Sequence, residues 1–398
     1  MAGQTVTALA GAAMRVYDKV VHEQVFKKNV LFQNVLKNVA NQVGATTKYF
    51  SVHYGRNVGS AAGSETITLP TAGAQKYQQA TIPMKYNFHQ IAITDVALQA
   101  SKRSKEFLVN ALESEYNGAK EDMQRQMSRQ GYGIGTGEIA LVNGDPGTGT
   151  TLTLDNPMVG KNPTDYIEVG NILRLGDTAA QINTVASITS GTVCTIDAAA
   201  AAVVDNDKVY IAQSATQSNI DAEMMGLKGL IDDGANVSTL EGITRSTNIW
   251  WQSYVDDSTS AQRSLTDGLL HTTFLEAKKK GDPTYALTSF DVYSAYGQLL
   301  TPDRRYTSDM KLNGGFTGLA FNNLPIVPDY DCPYDELYFI DSSSLSVEDL
   351  APMSFLDEDG AILDRSATTP AWNATLRYYA NLASSAPNKS SSLRDIIK

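Results

Sequence analysis

The sequence predicts an α+β fold into which an all-β unit is inserted. Residues 104–130 place apolar side chains three to four positions apart, which is typical of one long helix. Residues 46–54 and 80–93 alternate between apolar and polar side chains and are rich in β-branched and aromatic residues, as strands are. Residues 138–215 break into short strand-like pieces separated by Gly, Asn, Asp and Pro, which predicts a small β-barrel or sandwich. The 398 residues are enough for two or three domains.

The N-terminal segment is basic, whereas the rest of the chain is acidic. Residues 1–58 carry seven Lys and Arg against two acidic residues, a net charge of +5 that leaves −16 for the remainder. The acidic body argues against a general nucleic-acid binder. The basic segment could bind nucleic acid or lie against acidic neighbours in a homo-oligomer. Apolar residues recur at helical spacing within 5–38, which predicts one or two amphipathic helices and favours the homo-oligomer.

Residues 55–79 connect the first two predicted strands and are rich in Gly, Ala, Ser and Thr. A connection of this length is uncommon inside a compact domain, so we predict a long two-stranded arm with a flexible tip. Because an isolated two-stranded ribbon is only marginally stable in water, the arm is expected to lie on a neighbouring subunit. The residues predicted at this intersubunit tip are Gly55, Arg56, Gly59, Gly63 and Lys76.

The stretch GYGIGTGEIALVNGDPGTGTT at 131–151 has the glycine spacing of a nucleotide-binding loop. A dinucleotide fingerprint follows a strand and opens a helix, whereas here the predicted helix precedes the glycines and the strand follows them. A phosphate loop needs a lysine that this stretch lacks. We interpret the glycines as a helix stop, a joint and a hairpin turn, because glycine tolerates positive φ. The predicted hinge and turn residues are Gly131, Gly133, Gly135 and Gly137.

Patterns of catalytic or metal-binding residues are weak throughout the sequence. Only four histidines are present, and no Cys or His pairs have the close spacing of a structural zinc site. Cys194 and Cys332 are expected to be reduced thiols, and Asp232 with Asp233 is interpreted as an ordinary surface pair. No apolar run reaches the roughly 18 residues of a membrane helix. We therefore predict no enzyme activity, no cofactor, no metal site and no membrane partner.

Three stretches carry a more specific pattern. In 229–255, a Gly-Ile-x-Arg-Ser-Thr run precedes a tryptophan pair. Residues 285–308 predict a strand and a helix followed by paired arginines, and 318–347 contain Leu-Pro-Ile-Val and Leu-Tyr-Phe-Ile-Asp. Together with the order of N-terminal segment, arm and long helix, these stretches resemble the major capsid proteins of tailed bacteriophages with the Hong Kong 97-type fold. The resemblance covers most of 1–135 and 220–398, and the insert departs from it.

The resemblance implies a peripheral domain, an axial domain, an N-terminal arm and an extended β-arm. The predicted division is an N-terminal arm at 1–45, an extended β-arm (the E-loop) at 46–95, the spine helix of the peripheral domain at 96–135, an inserted β-barrel-like domain at 136–216, the axial domain with adjoining peripheral segments at 217–345, and peripheral strands with a C-terminal tail at 346–398. Arg245, Trp250 and Trp251 match the family's stretch and are predicted to be core or interface anchors.

The resemblance also implies a function. A major capsid protein of this family assembles into pentamers and hexamers of an icosahedral shell around double-stranded DNA. Its expected partners are copies of itself, a portal protein, a scaffolding protein or maturation protease and a decoration protein, with only weak non-specific contact to DNA. It is expected to assemble in the host cytoplasm and to end in the virion capsid.

Several alternatives to this function stay open. They are an encapsulin-type compartment shell, another phage structural protein such as a tail or decoration component, and a nucleotide-binding enzyme. Some members of the capsid family also crosslink subunits through a lysine in the arm. Lys48, Lys76 and Lys85 lie near the arm in the sequence, but we favour ordinary solvated lysines as their interpretation.

Overall fold

The structure is a computed structural model. It describes residues 31, 40–42, 46–66, 68, 70–96, 105–177, 181–212, 220–258, 261–300, 310–311, 317–357, 362–366 and 368–397. The helices predicted within 5–38, apart from Leu31, and the paired Arg304 and Arg305 lie outside the described residues. None of the described helices is both long and apolar enough to cross a membrane.

The described elements are numbered here in chain order. The strands are β1 (Ala40–Gln42), β2 (Thr47–Gly55), β3 (Lys76–Pro83), β4 (Lys85–Thr94), β5 (Glu138–Val142), β6 (Thr151–Asp155), β7 (Ile172–Leu175), β8 (Gln181–Ser190), β9 (Val193–Ile196), β10 (Lys208–Ala212), β11 (Thr239–Leu240), β12 (Ile243–Thr244), β13 (Tyr254–Asp256), β14 (Arg263–Ser264), β15 (Tyr285–Thr288), β16 (Met310–Lys311), β17 (Thr317–Gly318), β18 (Ala320–Phe321), β19 (Leu324–Pro328), β20 (Leu337–Ile340), β21 (Leu345–Phe355), β22 (Asp364–Arg365), β23 (Ala371–Ser384), β24 (Ser391–Leu393) and β25 (Ile396–Ile397). The helices are α1 (Lys105–Gln130), α2 (Leu227–Leu230), α3 (Asp267–Lys278) and α4 (Phe290–Leu299).

The predicted long helix is confirmed as α1, and it lies along a five-stranded sheet. The long strand β23 is the centre of this sheet, because β4, β21 and β22 all pair with it antiparallel, and β1 adds to β21 in parallel. Ala119 on α1 packs against Ile91 of β4 and Ala374 of β23. The helix therefore covers one face of the sheet.

The predicted strand at 80–93 is wrong as a single element, because the chain forms β3 and β4 there. β3 pairs with β2 to make the arm, whereas β4 joins the five-stranded sheet. Pro83 cannot donate a ladder hydrogen bond, which limits strand pairing at this point. Met84 is buried beside Ile82 and its N–H donates to Thr46 O at 3.0 Å. The chain thus changes sheets at a fixed corner between the arm and the body.

A second sheet has six strands in the order β13-β24-β20-β15-β19-β18. The helices α3 and α4 flank this sheet, and β15 with α4 confirms the strand and helix predicted within 285–308. Their apolar faces pack on this sheet, with Phe274 and Tyr296 in the same buried cluster as Phe339. The last described strands return here, since β24 pairs with β13 and β20 while β25 pairs with β14. The described part of 346–398 therefore contributes to both sheets, and residues 391–393 and 396–397 are paired strands.

The inserted unit is a closed six-stranded barrel in the order β10-β5-β6-β9-β8-β7. Alternate residues of its strands point inward, and side chains such as Leu152, Leu173 and Val209 fill a core of its own. The small all-β unit predicted for this region is present, and its strands lie between 138 and 212.

Candidate assembly surfaces

The arm is a two-stranded ribbon whose tip projects from the body. Of the predicted tip residues, Arg56, Gly63 and Lys76 are exposed, and Gly55 and Gly59 are half-buried. Sequence reasoning missed Asn57, whose Oδ1 accepts hydrogen bonds from Gly59 N at 2.7 Å and Gly73 N at 2.8 Å.

A methyl group on Gly73 would lie 2.7 Å from the Asn57 Oδ1 atom, so glycine is required there while this side chain stays in place. Asn57 thus joins the two sides of the tip at its neck. Asparagine bonding to a backbone N–H two residues on is a common turn device, and this was the signal available in the sequence.

The end of β2 nearest the tip contacts the tryptophan pair. Trp251 is fully buried and its indole N–H donates to Leu240 O at 3.2 Å. Trp250 is half-buried and stacks on Tyr54 of β2, with ring centroids 5.0 Å apart and planes inclined by 12°. Trp251 is therefore placed in the core, whereas Trp250 lies between body and arm within one chain.

Arg245 is completely buried and holds several carbonyl groups together. Its guanidinium donates to Gly229 O at 2.9 Å, Leu230 O at 2.6 Å and Val237 O at 3.1 Å, and lies 3.5 Å from an oxygen of Asp232. Burial lowers the pKa of Arg245 to about 10, which leaves the side chain cationic at neutral pH. Arg245 is therefore buried and bonded within the 229–255 segment, and its role as an anchor stays a prediction.

Asp232 was interpreted as a surface residue, and that interpretation is wrong because its side chain is fully buried. Burial alone would raise the pKa of Asp232, but hydrogen bonds from Val237 N and the Asn236 amide and the charge of Arg394 lower it overall. Arg394 binds Asp232 at 3.2 Å and approaches Glu336, which pairs with Lys228 at 2.8 Å. This buried network fixes the C-terminal strands to the centre of the body.

The glycines after α1 lie in a packed joint. Gly131 N donates to Met127 O at 2.9 Å and so completes the last turn of α1, and Leu227 N donates to Gly131 O at 2.7 Å. Gly135 and Gly137 adopt φ values of 81° and 85°, in the left-handed region that favours glycine, whereas Gly133 does not. The four glycines stay a predicted hinge, and two of them meet a conformational requirement.

Sequence reasoning also missed the residue that faces this joint. A methyl group on Gly226 would lie 2.4 Å from Gln130 O and 2.4 Å from Gly133 N. Only a residue without a Cβ lets the two backbones approach so closely. A lone glycine far along the chain gives no sequence signal for such a contact.

The barrel is attached to the body by side chains as well as by the joint. Tyr166, in the loop after β6, donates to Asp331 Oδ1 at 2.5 Å in a buried position, and packs into the main core of the body. Arg125 of α1 donates to Glu168 at 2.6 Å and to Asp165 O at 2.8 Å. The insert therefore has its own core and a docked inner face.

A buried carboxyl group lies beside this docked face. Tyr132, just after α1, donates to Asp329 Oδ2 at 2.8 Å. Burial, followed by the nearby charge of Asp331, raises the pKa of Asp329 to about 6. The junction between α1, the barrel and the β19–β20 loop thus contains a group that titrates in a mildly acidic range.

The face of the five-stranded sheet away from α1 carries an exposed aromatic patch, which we call the outer patch. It consists of Tyr86, Phe88, Arg377 and Tyr379. Tyr86 and Phe88 meet Tyr379 edge-on at 5.1 and 5.4 Å, and the Arg377 guanidinium lies 5.7 Å from the Tyr379 ring centre. Phe88 is 52% exposed. Asn87, between Tyr86 and Phe88, points the other way and accepts a hydrogen bond from Gln130 of α1.

Reactive groups are few on these surfaces. Cys194 and Cys332 are buried free thiols, as expected. Lys48 pairs with Glu348 at 2.6 Å, Lys85 donates to Asp221 O, and Lys76 is exposed. Within the described residues, no cluster of three or more His, Cys, Asp and Glu side chains is arranged to hold a metal ion.

A solved capsid structure shares this architecture. No protein-family model matches the chain, and no curated protein matches it significantly. A chain of the cyanophage A-1(L) capsid asymmetric unit is 13% identical, with 99% of both chains covered and a TM-score of 0.61. The capsid of a native GTA particle is 11% identical over 97% of this chain and 98% of that one, with a TM-score of 0.49. The SrpI encapsulin from Synechococcus elongatus is 9% identical over 97% and 95%, with a TM-score of 0.46.

The assignment of the fold rests on the first of these similarities, since the other two have TM-scores below 0.5. It covers 99% of both chains. The predicted Hong Kong 97-type capsid fold is therefore confirmed for this chain.

Proposed function

We propose that the chain is the major capsid protein of a tailed bacteriophage. Copies assemble into pentamers and hexamers of an icosahedral shell that contains packaged double-stranded DNA, and the role is structural without catalysis. The observation that carries this proposal is the end-to-end correspondence with the cyanophage A-1(L) capsid chain, over 99% of both chains.

The surfaces of the single chain support association with further copies. The described residues of the arm tip are exposed apart from the half-buried Gly55 and Gly59, and Tyr77 of the ribbon is 64% exposed. The outer patch leaves Tyr86 and Phe88 exposed on the sheet. Exposed clusters of large apolar side chains mark interaction sites, so both surfaces suit contacts between subunits.

The charge of the chain suits containment of DNA without tight binding. A net charge of −11 repels a polyanion over most of the surface, so contact with DNA is weak and non-specific. Further partners in this proposal are a portal protein, a scaffolding protein or maturation protease and a decoration protein. The subunits assemble in the host cytoplasm and end in the virion.

The content of the particles tests this function. Particles containing this chain are purified from producing cells and treated with nuclease, and the protected nucleic acid and the vertices are then examined. A phage capsid gives protected double-stranded DNA and a portal at one vertex. Closed shells that lack both and enclose enzymes would instead indicate an encapsulin-type compartment.

A further inference from the structure

The described part of the chain contains two Asn-Gly pairs that lie on very different backbones. Asn117 and Gly118 are inside α1, whereas Asn143 and Gly144 are in the turn between β5 and β6. The asparagine side chain is exposed in both pairs. Asparagine followed by glycine is prone to lose its side-chain amide, because glycine has no Cβ to hinder attack by its own backbone nitrogen. Exposure alone therefore does not decide which pair reacts.

The reaction needs a backbone nitrogen that can reach the preceding side chain. The glycine N atom attacks the asparagine Cγ atom and loses its proton, a C–N bond forms, and the side-chain nitrogen leaves as ammonia. Water then opens the cyclic imide to aspartate or to isoaspartate, in which the main chain runs through the former side chain. In α1 the Gly118 N–H is held in the helical hydrogen-bond ladder, so the helix protects Asn117.

The turn after β5 has no helix to protect it. Gly144 adopts a φ of 78°, and the space that a Cβ would occupy is open. Gly144 N instead donates a hydrogen bond to Asp205 Oδ1 at 2.7 Å. The other oxygen of this carboxylate, Oδ2, accepts from Asn206 Nδ2 at 2.8 Å. The carboxylate is therefore bonded to the nitrogen atom that would attack.

Backbone hydrogen bonds fix this carboxylate beside the turn. Asn206 N donates to Val142 O, and Val142 N donates to Asp207 O, both at 2.8 Å. These two bonds hold the loop before β10 against the end of β5. Asp205 lies in this loop, so its position relative to the turn is set by the barrel itself.

We propose that Asp205 protects Asn143 and Gly144 against this self-modification. Attack requires the hydrogen bond of Gly144 N to break, and the negative charge that develops on this nitrogen would face the Asp205 carboxylate. Both effects raise the barrier. In an unprotected turn the product would place a further carboxylate beside Asp205. Isoaspartate would also lengthen the backbone between β5 and β6 and disturb the pairing of Val142 with Leu154.

Peptide mapping of the full-length, folded chain tests this protection, whether or not the chain forms capsids. The chain is incubated at neutral pH and sampled over time, and mass spectrometry with chromatography separates the asparagine, aspartate and isoaspartate forms. In the wild type both pairs should react more slowly than in the denatured chain. Asp205→Ala should speed the reaction of Asn143 by about fivefold, as expected for loss of one ordinary hydrogen bond, and leave Asn117 unchanged.

Asp207→Ala is the matched control. Asp207 Oδ2 accepts a hydrogen bond from Val204 N at 2.9 Å, so this variant removes the same charge and one backbone hydrogen bond from the same loop. It does not remove the acceptor of Gly144 N, so Asn143 should react at nearly the wild-type rate. Hydrogen exchange of β5 and β10 shows whether each variant keeps the barrel folded.

Three results would overturn the proposal. They are equal rates at Asn143 in the wild type and Asp205→Ala, equal acceleration by Asp207→Ala, and a wild-type Asn143 that reacts as fast in the folded chain as in the denatured chain. If Asp205→Ala loosens the barrel, Asp205→Asn provides the second test. It keeps an acceptor oxygen but lacks the charge, and it should still accelerate the reaction of Asn143. An unchanged rate in that variant would equally contradict the protection.

Discussion

Gly226 and Gly133 approach so closely that a methyl group on Gly226 would lie 2.4 Å from the N atom and 2.6 Å from the O atom of Gly133. The contact presses the chain after the barrel against the chain before it, where Leu227 N also binds Gly131 O. The two ends of the insert are thus held together by backbone contacts.

The first prediction concerns this contact. Gly226→Ala should lower the free energy of unfolding by about 1–3 kcal/mol or more, because the atoms in the way belong to the backbone and cannot rotate aside. Gly118→Ala is the control, since a methyl group there meets nothing within 4 Å and lies inside α1. The control should stabilise the chain by about 0.5–1 kcal/mol. Denaturant unfolding measures both, and a Gly226→Ala variant as stable as the wild type would contradict the contact.

The second prediction concerns the buried anchor. Arg245→Met should cost about 3–5 kcal/mol, because it leaves Asp232 with one cation fewer and uncovers the carbonyls of Gly229 and Leu230. Lys279→Met is the control, since its pair with Glu276 is exposed on the lysine side and worth up to about 1 kcal/mol. Equal losses in the two variants would show that Arg245 is not an anchor.

The third prediction concerns pH. The pKa of Asp329 is raised to about 6, so the neutral carboxyl stabilises the fold below about pH 4 and this contribution is lost as the pH rises through 6. The asparagine side chain of the Asp329→Asn variant does not titrate. The difference in unfolding free energy between variant and wild type should therefore change by about 2 kcal/mol between pH 4 and pH 7, with the variant relatively more stable at pH 7.

Thermal or denaturant unfolding at several pH values gives this difference. The contributions of the other carboxyl groups to the pH dependence are nearly the same in both proteins and largely cancel. Asp282→Asn removes a negative charge from a position that is 80% exposed and serves as the control. A difference between Asp329→Asn and wild type that is independent of pH would contradict the account of this junction.

The fourth prediction concerns the arm tip. Replacing residues 59–72 by a short Gly-Ser linker should leave the melting temperature nearly unchanged, because the described residues of this segment are exposed apart from the half-buried Gly59. Closed particles should be lost, because the tip's partners are on other subunits in the proposed shell. Particle yield is measured by sedimentation and electron microscopy. Normal particles from the shortened arm would argue that the tip plays no part in assembly.

Local sequence patterns were enough to predict α1, the arm and the barrel. Helix α1 starts one residue after its predicted start, because helical periodicity and the following glycines mark both of its ends. The barrel and the arm were foreseen from strand alternation and turn residues. The strand at 80–93 was mispredicted because its two halves pair with different strands. The alternation of apolar and polar residues does not show which strand a segment pairs with.

The candidate joints were harder to predict, since each depends on residues far apart in the chain. Aspartate is usually found on the surface, so nothing local in the sequence predicts that Asp232 is buried. Its burial depends on Arg394, 162 positions later. The polar stretch around Ser391 and Ser392 looked like a tail. Its hydroxyl groups instead donate to Thr273 O at 2.8 Å and Ile231 O at 3.5 Å inside the second sheet.

The most direct test of the central claim is cryo-electron microscopy of particles isolated from cells that produce this chain. The account predicts closed icosahedral shells in which this chain forms the wall as pentamers and hexamers, with each arm over a neighbouring subunit. Tubes, unassembled monomers, or a shell whose wall is built by another protein would contradict it.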